Sequence, residues 1–133
     1  MDNLTDYFAR GDEFAKHVGI ELLSVDKGSA RAQMRVQDHH LNMAHVVHGG
    51  AIFTLADYVF AVASNSHGTL ALAVQANINY LKAVRGGIIY AEAREVSLHR
   101  KLATYEIKVT DEPGELIATF QGIVYRKDQP LAI

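Results

Sequence analysis

Hydrophobic and polar positions recur with two different periods along the chain, and each change of period marks a predicted element. Residues 1–17 suit an amphipathic helix. Its predicted inward positions are Leu4, Tyr7, Phe8 and Phe14. The apolar run at 20–25 predicts a strand, and at 29–36 small or apolar residues alternate with arginine and glutamine, which predicts a half-buried strand. The first third of the chain is therefore predicted to be a helix followed by two strands.

Beyond Gly68 the period of two dominates and predicts strands only. The predicted strands are 70–81, 88–98, 104–111 and 116–126. Residues 111–115 contain Pro and Gly, which are typical of a tight turn, so the last two strands should form an antiparallel hairpin. A further turn is predicted at 83–87, and 37–50 reads as a loop.

Between these strand-rich parts lies one long apolar segment, HGGAIFTLADYVFAVASNS at 48–66. Between residues 51 and 63 the polar side chains are Thr54 and Asp57, so this predicted helix is apolar nearly all round. A helix of that kind is buried on every side, and one sheet of five or six strands covers only part of it. The pattern predicts an α+β fold in which a curved antiparallel sheet wraps the helix and a second subunit covers the rest.

Composition and charge narrow the class of protein. The 133 residues suit a single domain over 1–133, and a net charge of −2 argues against a nucleic-acid partner. Because there is no cysteine, thiolate chemistry and disulfides are excluded. The N-terminus lacks the features of a signal peptide and no apolar run is long enough to span a membrane, so a cytoplasmic protein without membrane association is expected.

Asp57 is the chemically unusual residue of the predicted helix. The positions that share its face include Thr54, and no lysine or arginine lies within the helix. Burial of an unpaired carboxylate is costly and raises its pKa, which makes Asp57 a candidate general base or nucleophile. The alternative is that Asp57 only fixes the packing register through a hydrogen bond to a loop or a second subunit.

The residues before the helix suggest a second half of a site. Gly49 and Gly50 follow His48 where the helix begins, and free N–H groups there favour negative charge such as an acyl oxyanion. Gly49 and Asp57 are ~12 Å apart along a helix axis, too far for both to act on one carbonyl within a chain. If the site is catalytic, Asp57 and Gly49 must come from different subunits.

The segment NMAHVVHGGAIFTLAD at 42–57 resembles the signature of hotdog-fold acyl-CoA thioesterases of the phenylacetic-acid-degradation type. FAKHVGIELLSV, ASNSHG and INYLKAV extend the resemblance over most of the chain. It implies a long helix wrapped by an antiparallel sheet, subunits joined sheet edge to sheet edge, and dimers paired into a homotetramer. The implied reaction is hydrolysis of an acyl-CoA to the free acid and coenzyme A, with no metal and no organic cofactor.

Carried over by motif, the resemblance also implies roles for individual residues. Asp57 would be the nucleophile or the base that activates water, and the Gly49 amide of the other subunit would polarise the thioester carbonyl. His48 would support that oxyanion site, and Asn42 would orient water or the thioester. Further candidate substrate-binding residues are Gly50, Thr54, Ser66, Lys82, Arg100 and Lys101. Of these, the lysines and the arginine are candidates for coenzyme A phosphates or for solvated charges.

Two positions depart from the family pattern. His45 stands where the family usually has glycine, and Ala83 follows Lys82 where proline is common.

A metal site is not predicted, because the histidines at 39–48 lack a rigid ligand spacing. The main alternative function is a non-enzymatic module that binds acyl-CoA or another small ligand; a hotdog hydratase or dehydratase is less compatible with Asp57. Aryl and medium-chain acyl groups are both compatible with the sequence.

Overall fold

The computed structural model of the chain describes residues 2–132. The helices are α1 (Asp2–Gly11), α2 (Glu13–Val18) and α3 (Gly49–Asn65), with a single 3₁₀ turn at Asp38–His40. The strands are β1 (Ile20–Asp26), β2 (Ser29–Arg35), β3 (Thr69–Tyr80), β4 (Ile88–Leu98), β5 (Leu102–Thr110) and β6 (Leu116–Pro130). The predicted strand positions are confirmed to within a few residues, with β6 extending further than expected.

Within residues 2–132, six antiparallel strands form one sheet in the order β1-β2-β4-β5-β6-β3. The predicted hairpin between β5 and β6 is present, closed by hydrogen bonds between Asp111 and Glu115. Strand β3 lies at one edge of the sheet, beside β6. The chain then crosses from β3 to β4, which lies between β2 and β5. The α+β class, the curved antiparallel sheet and the strand number are as predicted.

The long helix α3 packs on the inner face of this sheet. Its Leu55, Ala56 and Val59 are fully buried, since every second side chain of the strands points toward the helix. The inward strand residues that form the core with α3 are Ala32, Met34, Ile89, Ala91, Ala93, Tyr105, Ile107, Val109, Phe120 and Val124. The position of α3 is therefore determined by one continuous apolar layer.

One stripe of α3 is left uncovered by its own chain. Gly50 and Ala61 are exposed, and Thr54 and Asp57 are half-buried. These positions lie three or four residues apart and so share one face of the helix. As predicted, the sheet of one subunit covers only part of this apolar helix.

The N-terminal helix is broken, which corrects the expectation of one helix over residues 1–17. Asp12 has an extended backbone conformation (φ −106°, ψ 100°) and caps α2, its side chain accepting the N–H of Ala15 at 2.9 Å. The break rotates α2 so that Ala15 is buried and Phe14, predicted to face inward, is 62% exposed. Phe8 packs against the core as predicted.

The two edges of the sheet differ. Helices α1 and α2 pack against β1, whereas β3 carries exposed apolar side chains, including Leu72 and Val74. An uncovered edge strand presents unpaired N–H and C=O groups to which another strand can add. No helix in the described part of the chain is both long and apolar enough to cross a membrane.

Candidate active site

Helix α3 begins at Gly49, directly after the N-cap residue His48. The N–H of Gly50 donates to His48 Nδ1 at 2.8 Å, and the N–H groups of Ala51 and Ile52 donate to the His48 carbonyl. Because Nδ1 accepts this hydrogen bond, the neutral ring carries its proton on Nε2. Among the described residues the Gly49 N–H has no hydrogen-bond partner. A free donor at a helix N-terminus suits a developing negative charge.

Gly49 also contacts Tyr80, the last residue of β3. The Tyr80 hydroxyl donates to the Gly49 carbonyl at 3.0 Å. A Cβ at position 49 would lie 3.2 Å from the Tyr80 ring and hydroxyl. Sequence reasoning did not identify Tyr80, since no local pattern connects residues 31 positions apart.

Asn42 lies in the loop that precedes α3, and its side chain stabilises a turn in that loop. Its Oδ1 accepts the N–H groups of Ala44 at 2.9 Å and Val46 at 3.4 Å. His45 in this loop has φ 62°, the left-handed conformation that favours glycine. The turn therefore explains why a glycine is common at this position in the family that the sequence resembles. The side-chain carbonyl oxygen of Asn42 is therefore hydrogen-bonded within the loop.

Asp57 is half-buried on the uncovered stripe of α3, two turns beyond the helix start. Burial raises its pKa above the ordinary value, and the negative charge of Asp12 raises it further. No ion pair among the described residues joins Asp57 to a cation. It is thus a desolvated carboxylate without a charged partner in its own chain, as expected.

A groove of about 420 Å³ lies beside the first half of α3 and is called the histidine groove here. It is lined by His17, His39, His40, His48, Gly50 and Thr54, among others. Thr54 donates its hydroxyl to the Gly50 carbonyl at 2.7 Å. His40 is buried, and its ring joins Gln37 N–H to the Val18 carbonyl. Among residues 2–132 no group of three or more side chains is arranged to hold a metal.

The candidate phosphate contacts lie at two different ends of the fold. The Lys82 ammonium is near the start of α3 and bonds to the carboxylates of Asp111, at 2.7 Å, and Glu115. The hydrogen bond from Lys82 is the main reason why the pKa of Asp111 lies below its ordinary value. These two acids leave Lys82 without a net positive environment for a phosphate.

Arg100 and Lys101 lie in the β4–β5 turn and are solvent-exposed. Arg100 pairs with Asp128 at 3.5 Å, and Lys101 Nζ lies 3.3 Å from the Tyr125 hydroxyl. Both cations are therefore weakly held and accessible.

Ser66 is buried at the end of α3. Its hydroxyl donates to the Ala63 carbonyl at 2.6 Å and accepts the Gly28 N–H at 2.7 Å. Both bonds attach the helix end to the β1–β2 turn.

The predicted site residues thus fall into separate groups. His48, Gly50 and Thr54 line one groove, and Asp57 follows on the same helical face. Gly49 and Lys82 border a second groove of about 420 Å³ with Tyr80. Ser66, Arg100 and Lys101 lie beyond the last turn of α3.

The chain is similar to known thioesterases. Residues 44–118 match the model of the thioesterase superfamily. The acyl-coenzyme A thioesterase PaaI of Escherichia coli (strain K12) is 34% identical over 116 residues, which cover 86% of this chain and 83% of that protein. Residues 44–118 include the end of the loop before α3, α3 itself, the strands β3, β4 and β5, and the first residues of β6.

Solved structures agree with the same assignment. The structure of the E. coli PaaI protein from the phenylacetic acid degradation operon superposes with a TM-score of 0.92 and 30% identity, covering 96% of this chain and 94% of that one. The structure of smu.793 from Streptococcus mutans UA159 bound to acetyl CoA has a TM-score of 0.81 and 28% identity, covering 85% and 92%. The resemblance noted in the sequence is confirmed: the chain belongs to the thioesterase superfamily and has the hotdog fold.

Proposed function

We propose that the protein hydrolyses acyl-CoA thioesters to the free acid and coenzyme A. Membership of the thioesterase superfamily supports hydrolysis, and the name of the E. coli relative and the acetyl CoA in the S. mutans structure support coenzyme A as the carrier. The observation that carries the assignment is the unpaired, desolvated carboxylate of Asp57 on the same apolar helix as the free Gly49 N–H. The proposal treats residues 1–133 as a single domain.

The site is shared between two subunits in this proposal. Asp57 and Gly49 are separated by two helical turns, ~12 Å, so one thioester carbonyl reaches both only if they belong to different chains. The uncovered stripe of α3 and the apolar free edge formed by β3 support such a dimer. We infer that two sheets join through β3, and that dimers pair again into a homotetramer, as the resemblance implies.

The chemistry needs one water and no cofactor. Ionised Asp57 either takes a proton from water as the water attacks the thioester carbonyl, or attacks that carbon itself to form an anhydride that water then hydrolyses. In both routes the C–S bond breaks, the coenzyme A thiolate takes up a proton, and the acid is released. The Gly49 N–H donates to the oxyanion, and the His48 ring supports it by fixing the helix start.

Other residues contribute to binding in the same proposal. Asn42 orients water or the thioester with the amide nitrogen that the loop does not use. Gly50 and Thr54 contact the part of the substrate that lies in the histidine groove, next to the oxyanion donor Gly49. Arg100 and Lys101, rather than the neutralised Lys82, are the better candidates for coenzyme A phosphates, and Ser66 positions the helix end. Aryl and medium-chain acyl groups both suit the apolar surface around Asp57.

A thiol-release assay over a panel of aryl and medium-chain acyl-CoAs tests the proposal. The wild-type protein should release coenzyme A, and Asp57→Asn should lower kcat by roughly 10²–10⁴-fold, the usual contribution of a catalytic base. Asp57→Asn keeps the shape of the side chain, so its circular dichroism spectrum should match that of the wild type. Tight binding of acyl-CoA without thiol release by the wild type would instead identify a non-enzymatic binding module.

A further inference from the structure

The break between α1 and α2 places a second acid, Asp12, near the part of α3 that carries Asp57. Asp12 is half-buried and caps α2, which packs against α3. One of its oxygens accepts the Ala15 N–H at 2.9 Å, which fixes the position of the carboxylate. No described ion pair involves Asp12, so a cation does not neutralise it. The cap therefore fixes the carboxylate in place, and no described ion pair compensates its charge.

Asp12 lines a groove of about 450 Å³, called the Asp12 groove here, which reaches the part of α3 next to Asp57. Asp12, Tyr58 and Ala61 all line it. Tyr58 and Ala61 are the residues one and four positions after Asp57, so the groove borders the stripe on which Asp57 lies. The Tyr58 hydroxyl donates to the Phe8 carbonyl at 3.3 Å and joins α3 to α1 at this point.

The charge of Asp12 raises the pKa of two adjacent residues of α3, Asp57 and Tyr58. Burial and then Asp12 raise the pKa of Tyr58 to about 12, and the same two causes raise the pKa of Asp57. A negative charge near a partly desolvated acid has this effect, because it disfavours the ionised form of that acid. Both shifts agree with the position of Asp12 in the groove beside Tyr58.

The other titratable groups around α3 do not compete with Asp12. On α1 and α2 these are Asp6, Tyr7, Arg10, Glu13, Lys16 and His17, of which Glu13 and Lys16 pair with each other at 3.3 Å. His39, His40 and His48 border the histidine groove near the helix start. On the strands and beyond the helix end, Glu95 accepts hydrogen bonds from His67 and Tyr105 near Arg126, and Asp111 pairs with Lys82. None of these groups is among the causes of the raised pKa of Asp57, which are burial and the charge of Asp12.

We propose that Asp12 is a positioning residue of the hydrolytic site and acts on the reaction through Asp57, by repulsion between the two carboxylates. The inference rests on the proposed function of Asp57. Its consequence is a carboxylate of higher proton affinity, which is a stronger base for activating water. The same repulsion requires a higher pH before Asp57 ionises.

The test is the substitution Asp12→Asn, which removes the charge and keeps the cap, because asparagine caps helices as well as aspartate. The matched control is Glu13→Gln, which removes an acid from the adjacent, exposed position. Asp12→Asn should shift the acidic limb of the kcat/KM–pH profile to lower pH and lower the plateau of kcat by a few fold, whereas Glu13→Gln should leave both unchanged. Asp12→Ser, which also caps, repeats the test if the asparagine variant does not fold.

A second readout separates this inference from the proposed function. The carboxyl carbon of Asp57, followed by ¹³C NMR as pH is varied, should titrate at lower pH in Asp12→Asn than in the wild type. If Asp57→Asn abolishes turnover but neither the kinetic limb nor the NMR midpoint moves in Asp12→Asn, the role of Asp12 is wrong and the proposed function stands. If Asp57→Asn still releases thiol, the catalytic role of Asp57 is wrong and the role of Asp12 in the reaction is wrong with it; the NMR midpoint then reports only whether the two carboxylates interact.

Discussion

The Tyr80 ring lies 3.2 Å from where a Cβ at Gly49 would be, and its hydroxyl donates to the Gly49 carbonyl at 3.0 Å. Gly49 is the first residue of α3, and its free N–H is the proposed oxyanion donor. Tyr80 is the last residue of β3, the strand at the free sheet edge. The strand through which subunits are proposed to join therefore also supports the start of α3.

Gly49→Pro should remove the oxyanion donor and leave the helix intact. Proline is favoured at the first position of a helix, and the preceding His48 has the extended backbone that proline requires (φ −59°, ψ 135°). The expected loss in kcat is about 10²–10³-fold, as for other oxyanion donors. Gly49→Ala is the matched control, since it adds the same Cβ against Tyr80 and keeps the N–H. Equal losses in the two variants would mean that the contact with Tyr80 matters and the donor does not.

Asp57→Asn should be as stable as the wild type near pH 7, or more stable. Because the folded state raises the pKa of Asp57, the carboxyl contributes stability that is present below its unfolded pKa of about 3.9 and is lost as pH rises through its folded pKa. Asparagine has no such dependence. The melting temperature of the variant relative to the wild type should therefore increase from about pH 4 upward, as measured by thermal denaturation at several pH values. A large loss at pH 7 would indicate that Asp57 has a structural role.

His45→Gly should stabilise the protein. The left-handed conformation at His45 costs a residue with a side chain about 1–2 kcal/mol, of which glycine's freedom in the unfolded chain offsets about 0.4–1, so a net gain of about 0.5–1 kcal/mol is expected. Ala44→Gly, one position earlier and without a positive φ, should instead cost about 0.4–1 kcal/mol. Chemical denaturation measures both, and a destabilised His45→Gly variant would contradict the assigned loop conformation.

Gly122→Ala should disturb the core between β6 and α3. A Cβ at Gly122 would lie 2.5 Å from Phe60 Cζ, and the Phe60 ring is also packed against Tyr105 and Phe120. Overpacking of this kind costs about 1–3 kcal/mol in the free energy of unfolding. Adding Phe60→Leu should recover part of the loss, so that the double variant is more stable than the sum of the single changes. Simple additivity would show that the two residues do not compete for space.

Local pattern was enough to predict most of the fold. The positions of β1, β2 and β4 and the single long helix follow from periodicity, because each depends on residues close in sequence. The placement of β3 beside β6 was not predictable in this way, since it depends on pairing between residues such as Ile78 and Phe120, far apart in the chain. The break at Asp12 was missed because the apolar spacing continues through it.

The candidate site shows the same division. The half-burial and the raised pKa of Asp57 were predictable, because an unpaired acid in an apolar helix is visible in sequence. The influence of Asp12 on it and the neutralisation of Lys82 by Asp111 and Glu115 were not, since these depend on how distant segments pack.

The central claim is that each site takes Asp57 from one subunit and Gly49 from the other, and mixing two inactive variants tests it directly. Asp57→Asn and Gly49→Pro are co-expressed in equal amounts, so that half of the dimers are mixed. Every mixed dimer then has one site with both lesions and one intact site, and thiol release should return to about a quarter of the wild-type rate. Native mass spectrometry verifies that mixed dimers have formed. If they have formed and the mixture is no more active than the two separate variants, Asp57 and Gly49 do not share a site across subunits.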